Sequence, residues 1–347
     1  MLAQLGQLAL MPLRVPVWTA QLATGTKSFE RNPVIGSRWL NKHGLHTARV
    51  RIAGRIAEMR RRRLAGLVSA ADRAAFERDG FVIRANFLPD AEFTELLRQV
   101  KTYRGMLREI GEGDTILRKI ALDPKTLMAL PALGRLLRHP EWRGLIRYIG
   151  SRDAEPVVWI QSILRHAHDG APDPQTALHA DTFHPTVKAW LFLTDVAADA
   201  GPFTYVPGSH RLTSERLAWE RRMSLAAPLS RDPEIRQGSF RIDPAELAAL
   251  GLPEPRAFAV PANTLIVADT FGFHARGPSA GRSVRVEIWA YGRRSPFVPW
   301  PGLDWWSGAA LARRSLLSWR LGDLMERAGI KPHRWRARSG ISAFDPA

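Results

Sequence analysis

The chain has 347 residues, of which 45% are hydrophobic and 24% are charged, a composition that allows a sizeable core and excludes a disordered protein. Lysine and arginine outnumber aspartate and glutamate by 50 to 33, so the net charge favours anionic partners without choosing among lipid, nucleic acid and small anions. The absence of cysteine excludes disulfides, thiolate metal sites and a cysteine nucleophile.

Residues 1–68 are predicted to form a basic, helical N-terminal extension. Its apolar start lacks the early positive charge of a secretory signal, and no apolar run is long enough to cross a bilayer. Residues 45–64 place apolar side chains among arginines with a roughly helical period. This helix either lies on an anionic membrane surface or packs on the main domain with its arginines in water. We therefore expect a cytoplasmic protein, with peripheral membrane contact as an open alternative.

Residues 69–296 are predicted to form the main domain. Ser69 is the expected N-cap of a helix, which is followed by a strand of sequence FVIR and by a second helix. Residues 113–150 look helical. Short strands separated by glycine and proline turns then predict a sandwich or barrel. These strands span residues 157–165, 177–181, 187–196, 203–206, 257–260, 264–269 and 284–291, with a polar helical insert at about 211–250.

The sequence His179-Ala180-Asp181 is a candidate for part of a metal site. Residues i and i+2 of an extended strand face the same way, so both side chains can bind one ion. His274, directly after an apolar strand-like run, is the best candidate for a third ligand. Two histidines and one carboxylate leave coordination positions open, as in the facial triad of non-haem Fe(II) oxygenases.

Arg285 is the candidate for binding a 2-oxo acid, which such an iron site admits as a cosubstrate. It lies eleven residues after His274, and strand alternation gives it the same face as Glu287 and Trp289. A guanidinium suits a carboxylate, and burying it without a partner would be costly. We expect the cosubstrate to be that partner.

Four segments occur in the order found in the phytanoyl-CoA dioxygenase family of Fe(II)/2-oxoglutarate oxygenases, which residues 70–292 resemble. They are AFERDGFVIRANFL, LHADTFHPTVKAWLFLTDVAADAGPFTYVPGSHR, ANTLIVADTFGFHARG and RVEIWAY. The resemblance implies a mainly β fold with flanking helices around a double-stranded β-helix, a jelly-roll or cupin-like core. It also implies Fe(II) as the metal, with 2-oxoglutarate and O2 as cosubstrates.

The family pattern assigns roles to individual positions. By resemblance, His179, Asp181 and His274 would hold the iron, and Arg285 would bind the distal carboxylate of 2-oxoglutarate. Trp190 and Gln161 match positions that commonly line the cosubstrate pocket. Arg276 replaces a small polar residue of the family, which puts the finer cosubstrate contacts in doubt. Related halogenases have a small residue in place of the aspartate, so an intact Asp181 favours hydroxylation.

Other histidines offer alternatives to this set. His166 and His168 form a second i, i+2 pair, which either binds metal or is solvated at a strand end. His184 follows Asp181 by three residues and is predicted to line the cavity mouth. His184 and Arg276 are the candidates for substrate contact.

Residues 297–347 are predicted to form an aromatic and basic C-terminal extension with a helix at about 308–328. The aromatic stretch 296–308 belongs either to a hydrophobic mouth or membrane interface, or to packing of this helix. The basic runs lack a nucleic-acid-binding module, which argues against nucleic acid. We predict a dioxygenase that hydroxylates an unactivated C–H bond of a small anionic or amphiphilic, lipid-like substrate. The alternative is a retired oxygenase fold that binds membrane or nucleic acid.

Overall fold

The computed structural model describes residues 11–293, 295–302 and 309–347. The strands in these ranges are β1 (Phe81–Arg84), β2 (Leu107–Glu112), β3 (Thr115–Ala121), β4 (Val157–Arg165), β5 (Val187–Phe192), β6 (Phe203–Tyr205), β7 (Arg256–Phe258), β8 (Leu265–Asp269), β9 (His274–Arg276), β10 (Ser283–Gly292) and β11 (Arg336–Arg338). The α-helices there are α1 (Met11–Ala20), α2 (Arg38–Lys42), α3 (Leu45–Leu64), α4 (Ala70–Asp79), α5 (Asp90–Thr102), α6 (Pro124–Ala129), α7 (Pro131–Arg138), α8 (Pro140–Ile149), α9 (Ser214–Ala226), α10 (Pro233–Arg236), α11 (Pro244–Ala249) and α12 (Ala309–Arg327).

The strands form two antiparallel sheets. The large sheet has the order β1-β8-β5-β10-β4-β3-β2-β11, and the small sheet has the order β7-β6-β9. Aromatic side chains fill the space between the sheets, including Trp190, Phe192, Phe203 and Phe258. This arrangement confirms the predicted fold class, an antiparallel jelly-roll core with flanking helices, although helix accounts for 39% of the chain and strand for 20%.

The outer face of the large sheet is covered by helices. Leu96 and Val100 of α5, with Leu133 of α7 and Trp142 of α8, are buried in one cluster with the apolar side chains of that face. The opposite face of β3 and β4 meets α12, where the Trp159 and Trp319 ring centroids lie 5.0 Å apart.

The region between residues 107 and 121 differs from the prediction. Residues 113–150 were expected to be helical, but β3 occupies residues 115–121 and pairs with both β2 and β4. Its arginine, Arg118, is 2% exposed and donates hydrogen bonds to Glu109 and to the carbonyl oxygens of Ser342 and Asp345. Helices α6, α7 and α8 confirm the prediction between residues 124 and 149. It was wrong for residues 115–121, because the buried charge of Arg118 is satisfied by residues far along the sequence.

Helix α3 packs on the body of the protein along one face. Val50, Ala53 and Ala57 are fully buried, and buried Arg49 donates to the carbonyl oxygens of residues 22, 24 and 26. Packing of this helix, one of the two interpretations, is therefore present, and membrane contact stays a prediction. None of the helices in the described ranges combines the length and apolar character needed to cross a membrane.

The C-terminal extension also packs on the main domain. Arg108 of β2 forms an ion pair with Asp323 of α12, and Ser162 of β4 donates to the carbonyl oxygen of Ala343 at 2.6 Å. Helix α12 agrees with the expected helix at 308–328. Of the aromatic stretch 296–308, residues 303–308 lie outside the described residues. The boundaries at 68 and 297 stay predictions.

Candidate metal centre and its cavity

The backbone brings the HxD segment and the distal histidine together. His179 and His274 exchange two backbone hydrogen bonds of 3.0 and 2.9 Å, forming an isolated antiparallel bridge. A second bridge joins His179 to Arg241 on its other side. The expected strand at 177–181 is thus an extended segment held by single bridges. Because i and i+2 still face the same way, the His179 and Asp181 side chains reach the same space as His274.

The two imidazole rings are held in one tautomer. Nδ1 of His179 lies 2.8 Å from the carbonyl oxygen of Ala177, and Nδ1 of His274 lies 2.9 Å from that of Gly272. A carbonyl oxygen only accepts, so each Nδ1 carries the hydrogen and each Nε2 presents a lone pair. Both rings therefore offer Nε2 as a ligand atom.

Asp181 completes the group. Its Oδ1 lies 3.6 Å from Nε2 of His179 and 3.5 Å from Nε2 of His274, and the ligand atoms of the three residues all lie within 4.8 Å of one another. The other oxygen, Oδ2, forms an ion pair of 2.7 Å with Lys188. One carboxylate oxygen thus faces the histidines while a lysine holds the other.

The electrostatics of this group fit a bound cation. Burial and then the nearby His274 lower the pKa of His179 to about 4, so its ring is neutral at neutral pH, as metal binding requires. Burial alone would raise the pKa of Asp181, but Lys188 and His274 hold it well below its usual value. Nε2 of His274 is buried without a hydrogen-bond partner. An ion bound by all three side chains would supply that partner.

Most of the predicted site residues line one cavity of about 160 Å³, which we call the inner cavity. Its lining includes His179, His274, Arg285, Trp190, Gln161 and Arg276. Trp190 packs against Phe203 of the small sheet, with ring centroids 4.3 Å apart and the rings tilted by 32°. The structure therefore brings together residues that lie up to 124 positions apart, from 161 to 285, around one metal-ligand group.

Arg285 has more partners than the sequence suggested. Its Nε lies 3.0 Å from Oε2 of Glu287, and its Nη1 donates to the carbonyl oxygen of Gly201. Glu287 is fully buried and accepts a hydrogen bond of 2.7 Å from Gln161. Arg285 therefore has protein partners that the sequence did not reveal, and its pairing with a cosubstrate stays a prediction. A guanidinium has five N–H donors, so these contacts leave donors for a ligand in the inner cavity.

Two lysines of the inner cavity were missed from the sequence. Lys119 projects from β3, with its ammonium 4.3 Å from the centre of the Trp289 ring, and burial lowers its pKa to about 8. Lys188 precedes Trp190 by two residues on β5. Alternation within the predicted strand 187–196 was a usable signal for Lys188. Lys119 gave no such signal because its strand was predicted as a helix.

The candidate substrate residues lie in different places. Arg276 lines the inner cavity but forms an ion pair with buried Asp173. His184 is 1% exposed, lies beside Gly25, and does not appear in the described lining of the inner cavity. Burial and then Arg293 lower its pKa to about 3. His184 therefore does not line the mouth of the inner cavity, where it was predicted to lie.

His166 and His168 do not join a metal-ligand group within the described residues. Nδ1 of His166 lies 2.9 Å from Asp114, and its Nε2 lies 2.9 Å from the carbonyl oxygen of Ser279. His168 is exposed. His168 is therefore solvated, as one of the two interpretations expected. His166 instead joins the loops that carry Asp114 and Ser279.

The chain is similar to known proteins over part of its length. A family model described as phytanoyl-CoA dioxygenase (PhyH) matches residues 76–248, about half of the chain. The chain is similar to ectoine dioxygenase of Bordetella bronchiseptica, with 26% identity over 163 residues, which are 43% of this chain and 52% of that protein. The match thus spans about half the length of this curated relative.

Solved structures with a related chain path have low identity. The non-heme alpha ketoglutarate dependent epimerase SnoN from nogalamycin biosynthesis is 22% identical with a TM-score of 0.43, covering 65% of this chain and 82% of SnoN. HygX from Streptomyces hygroscopicus, with nickel and 2-oxoglutarate bound, is 16% identical with a TM-score of 0.39, covering 65% and 87%.

Proposed function

The chain belongs to the phytanoyl-CoA dioxygenase family, and on this premise we propose that it is an Fe(II)/2-oxoglutarate-dependent oxygenase. The finer proposal is that it hydroxylates an unactivated C–H bond of a small substrate. One observation supports it above the others: the two buried histidines of a two-histidine, one-carboxylate group line the same cavity as a buried arginine.

The donor set fits Fe(II). His179, Asp181 and His274 would hold the ion through two neutral imidazole nitrogens and one carboxylate oxygen, which leaves positions for a bidentate 2-oxo acid and O2. Bound iron would supply the oxidising chemistry, with 2-oxoglutarate and O2 consumed and succinate and CO2 released. The carboxylate of Asp181 favours hydroxylation, because a halogenase of this type has a small residue there.

The surrounding residues would bind and orient. Arg285 would bind the distal carboxylate of 2-oxoglutarate, with the Lys119 ammonium adding positive charge to the same cavity. Trp190 and Phe203 would form an apolar wall that limits water at the reacting centre. Lys188 would hold one oxygen of Asp181 and so orient the other toward the metal, as outer partners of metal ligands commonly do.

The substrate and location stay proposals of the same kind. We propose a small-molecule substrate and a cytoplasmic protein. Helix α3 packs on the main domain, which leaves the lipid-like substrate and the peripheral membrane contact without support from the described residues.

The test is conversion of 2-oxoglutarate to succinate by purified full-length protein loaded with Fe(II). Asp181→Ala should lower turnover by about 100-fold or more, because loss of an outer partner alone often costs 10–100-fold. His168→Gln, at an exposed histidine, is the matched control and should turn over normally. Absence of both Fe(II) binding and succinate formation in the wild type would show the proposal to be wrong.

A further inference from the structure

We propose that a second cavity, of about 940 Å³, binds a phosphate or carboxylate group of the oxygenase's primary substrate. We call it the outer cavity, and its described lining includes Lys27, Arg31, Arg152, Tyr291 and Arg293. Its volume lies within the range of small-molecule sites, about 300–1,000 Å³. This inference rests on the proposed function, since it concerns the substrate of the same metal centre.

The two cavities lie along one face of two paired strands. On β10, residues 285, 287, 289 and 291 share a face, and they pair with residues 163, 161, 159 and 157 of β4. Arg285 and Ile163 line the inner cavity, whereas Tyr291 and Val157 line the outer cavity. Six residues of strand separate these positions, or roughly 20 Å. The outer cavity is therefore at the end of this face remote from Arg285.

The metal-ligand group adjoins the outer cavity through Asp181. Lys27, which lines the outer cavity, donates a hydrogen bond of 2.5 Å to the carbonyl oxygen of Asp181. Lys188 pairs with Tyr291 across β5 and β10 and holds the carboxylate of Asp181. With 2-oxoglutarate at the Arg285 end, a substrate anchored in the outer cavity would reach the metal from the opposite side.

The charge of the outer cavity selects an anion. Its described lining has four basic side chains and no acidic one. Arg31 is exposed, and its guanidinium has no hydrogen bond or ion pair within the described part of the chain. Nη2 of Arg293 donates to the carbonyl oxygen of Gly25. Such a concave positive field attracts anions, and arginine suits both phosphate and carboxylate.

The lining comes mainly from outside the residues that the family model matches. The segment from Trp18 to Asn32, together with Tyr291, Arg293 and Ser295, supplies most of it, while the match covers residues 76–248. Three of the four basic side chains, Lys27, Arg31 and Arg293, thus lie outside the match, and two of them belong to the N-terminal segment.

The test uses anaerobic full-length protein with Fe(II) and saturating 2-oxoglutarate, so that the Arg285 end is filled and no turnover occurs. Phenyl phosphate and benzoate are titrated separately by calorimetry, which distinguishes a phosphate from a carboxylate site. We expect one of them to bind, and Arg31→Gln and Arg293→Gln each to weaken binding about ten-fold, since each removes one charged hydrogen-bond donor. Arg98→Gln, at an exposed arginine of α5 paired with Glu95, is the matched control and should bind as wild type.

Uncoupled succinate formation, measured on the same samples in air, separates this inference from the proposed function. Normal succinate formation with no anion binding, or with binding that both variants leave unchanged, overturns the anion site alone. If the protein binds the anion but neither takes up Fe(II) nor forms succinate, the proposed function is wrong. The outer cavity is then not a substrate site of an oxygenase either. Arg31 is exposed, so Arg31→Gln keeps the test valid if Arg293→Gln fails to fold.

Discussion

The inner and outer cavities are built in opposite ways. Strands supply most of the inner lining, and its charges are largely compensated within the protein, as in the pairs Asp181–Lys188 and Arg285–Glu287. The outer cavity is lined mainly by non-strand segments from both ends of the sequence, and its positive charge has no acidic counterpart among the described lining residues. Rigid strands suit a site that must hold metal ligands in place, whereas loops on a rigid scaffold suit substrate selection.

Among the variants that test this division, replacement of Arg285 in the inner cavity should have the largest effect. Arg285→Gln should raise the KM for 2-oxoglutarate about 100-fold, or roughly 2.7 kcal/mol, because it removes a buried cation and leaves Glu287 uncompensated. Steady-state succinate formation measures the effect. Phenyl phosphate binding to the outer cavity should not change.

Arg276→Gln is the matched comparison, since Arg276 lines the same cavity but pairs with Asp173. The KM of Arg276→Gln for 2-oxoglutarate should rise less than that of Arg285→Gln. The reverse order would mean that 2-oxoglutarate binds at the Arg276 side, and the assignment of the inner cavity would then be wrong.

A glycine pair tests whether the outer cavity depends on the position of the N-terminal segment. Gly238 has a φ of +81°, and a Cβ there would lie 2.3 Å from the carbonyl oxygen of Lys27. Gly251 has a φ of +65° with no atom within 4 Å of such a Cβ. Both alanine variants place a side chain at a positive φ and so share the same backbone strain. The difference between their stabilities therefore reports the clash of the Gly238→Ala side chain with Lys27.

We expect Gly238→Ala to lower the free energy of unfolding by about 1–3 kcal/mol more than Gly251→Ala does. Urea denaturation measures this difference. Gly238→Ala should also weaken phenyl phosphate binding while leaving the KM for 2-oxoglutarate unchanged. Equal stabilities and equal anion affinities would show that the segment around Lys27 does not shape the cavity.

The smallest expected effect concerns the buried charge of Lys119. Burial lowers its pKa to about 8 from an ordinary value of 10.5. Between these pH values the unfolded chain binds more protons than the folded chain, so the cost of burying this lysine is fully present below pH 8 and is lost as the pH rises to 10.5. Lys119→Met should therefore be more stable than wild type at pH 7, by about 1–2 kcal/mol after loss of its ring contacts.

That advantage should shrink as the pH approaches 10.5, and denaturation at several pH values measures it. The same variant should bind 2-oxoglutarate more weakly, because it removes a cation from the inner cavity. A stability difference that stays constant across this pH range would contradict the assigned cost of the buried charge.

Strand patterns were predicted well where apolar and aromatic residues dominate the segment. The predicted strand 157–165 coincides with β4 (Val157–Arg165), and 284–291 lies within β10 (Ser283–Gly292). The segment 115–121 was predicted wrongly, since Arg118 and Lys119 are buried against residues that lie far away in the sequence. Local patterns cannot reveal such partners.

The sequence by itself determined the chemistry of the candidate site: the residue types, the i, i+2 spacing of His179 and Asp181, and the arginine eleven residues after His274. Spacing within one strand depends only on backbone geometry, so it can be inferred without a fold. The tertiary structure decided that His179 bridges His274, that Glu287 pairs with Arg285, and that the N-terminal segment closes a cationic cavity beside Asp181. These contacts join distant parts of the chain, and they form only when the sheets and helices bury their apolar faces together.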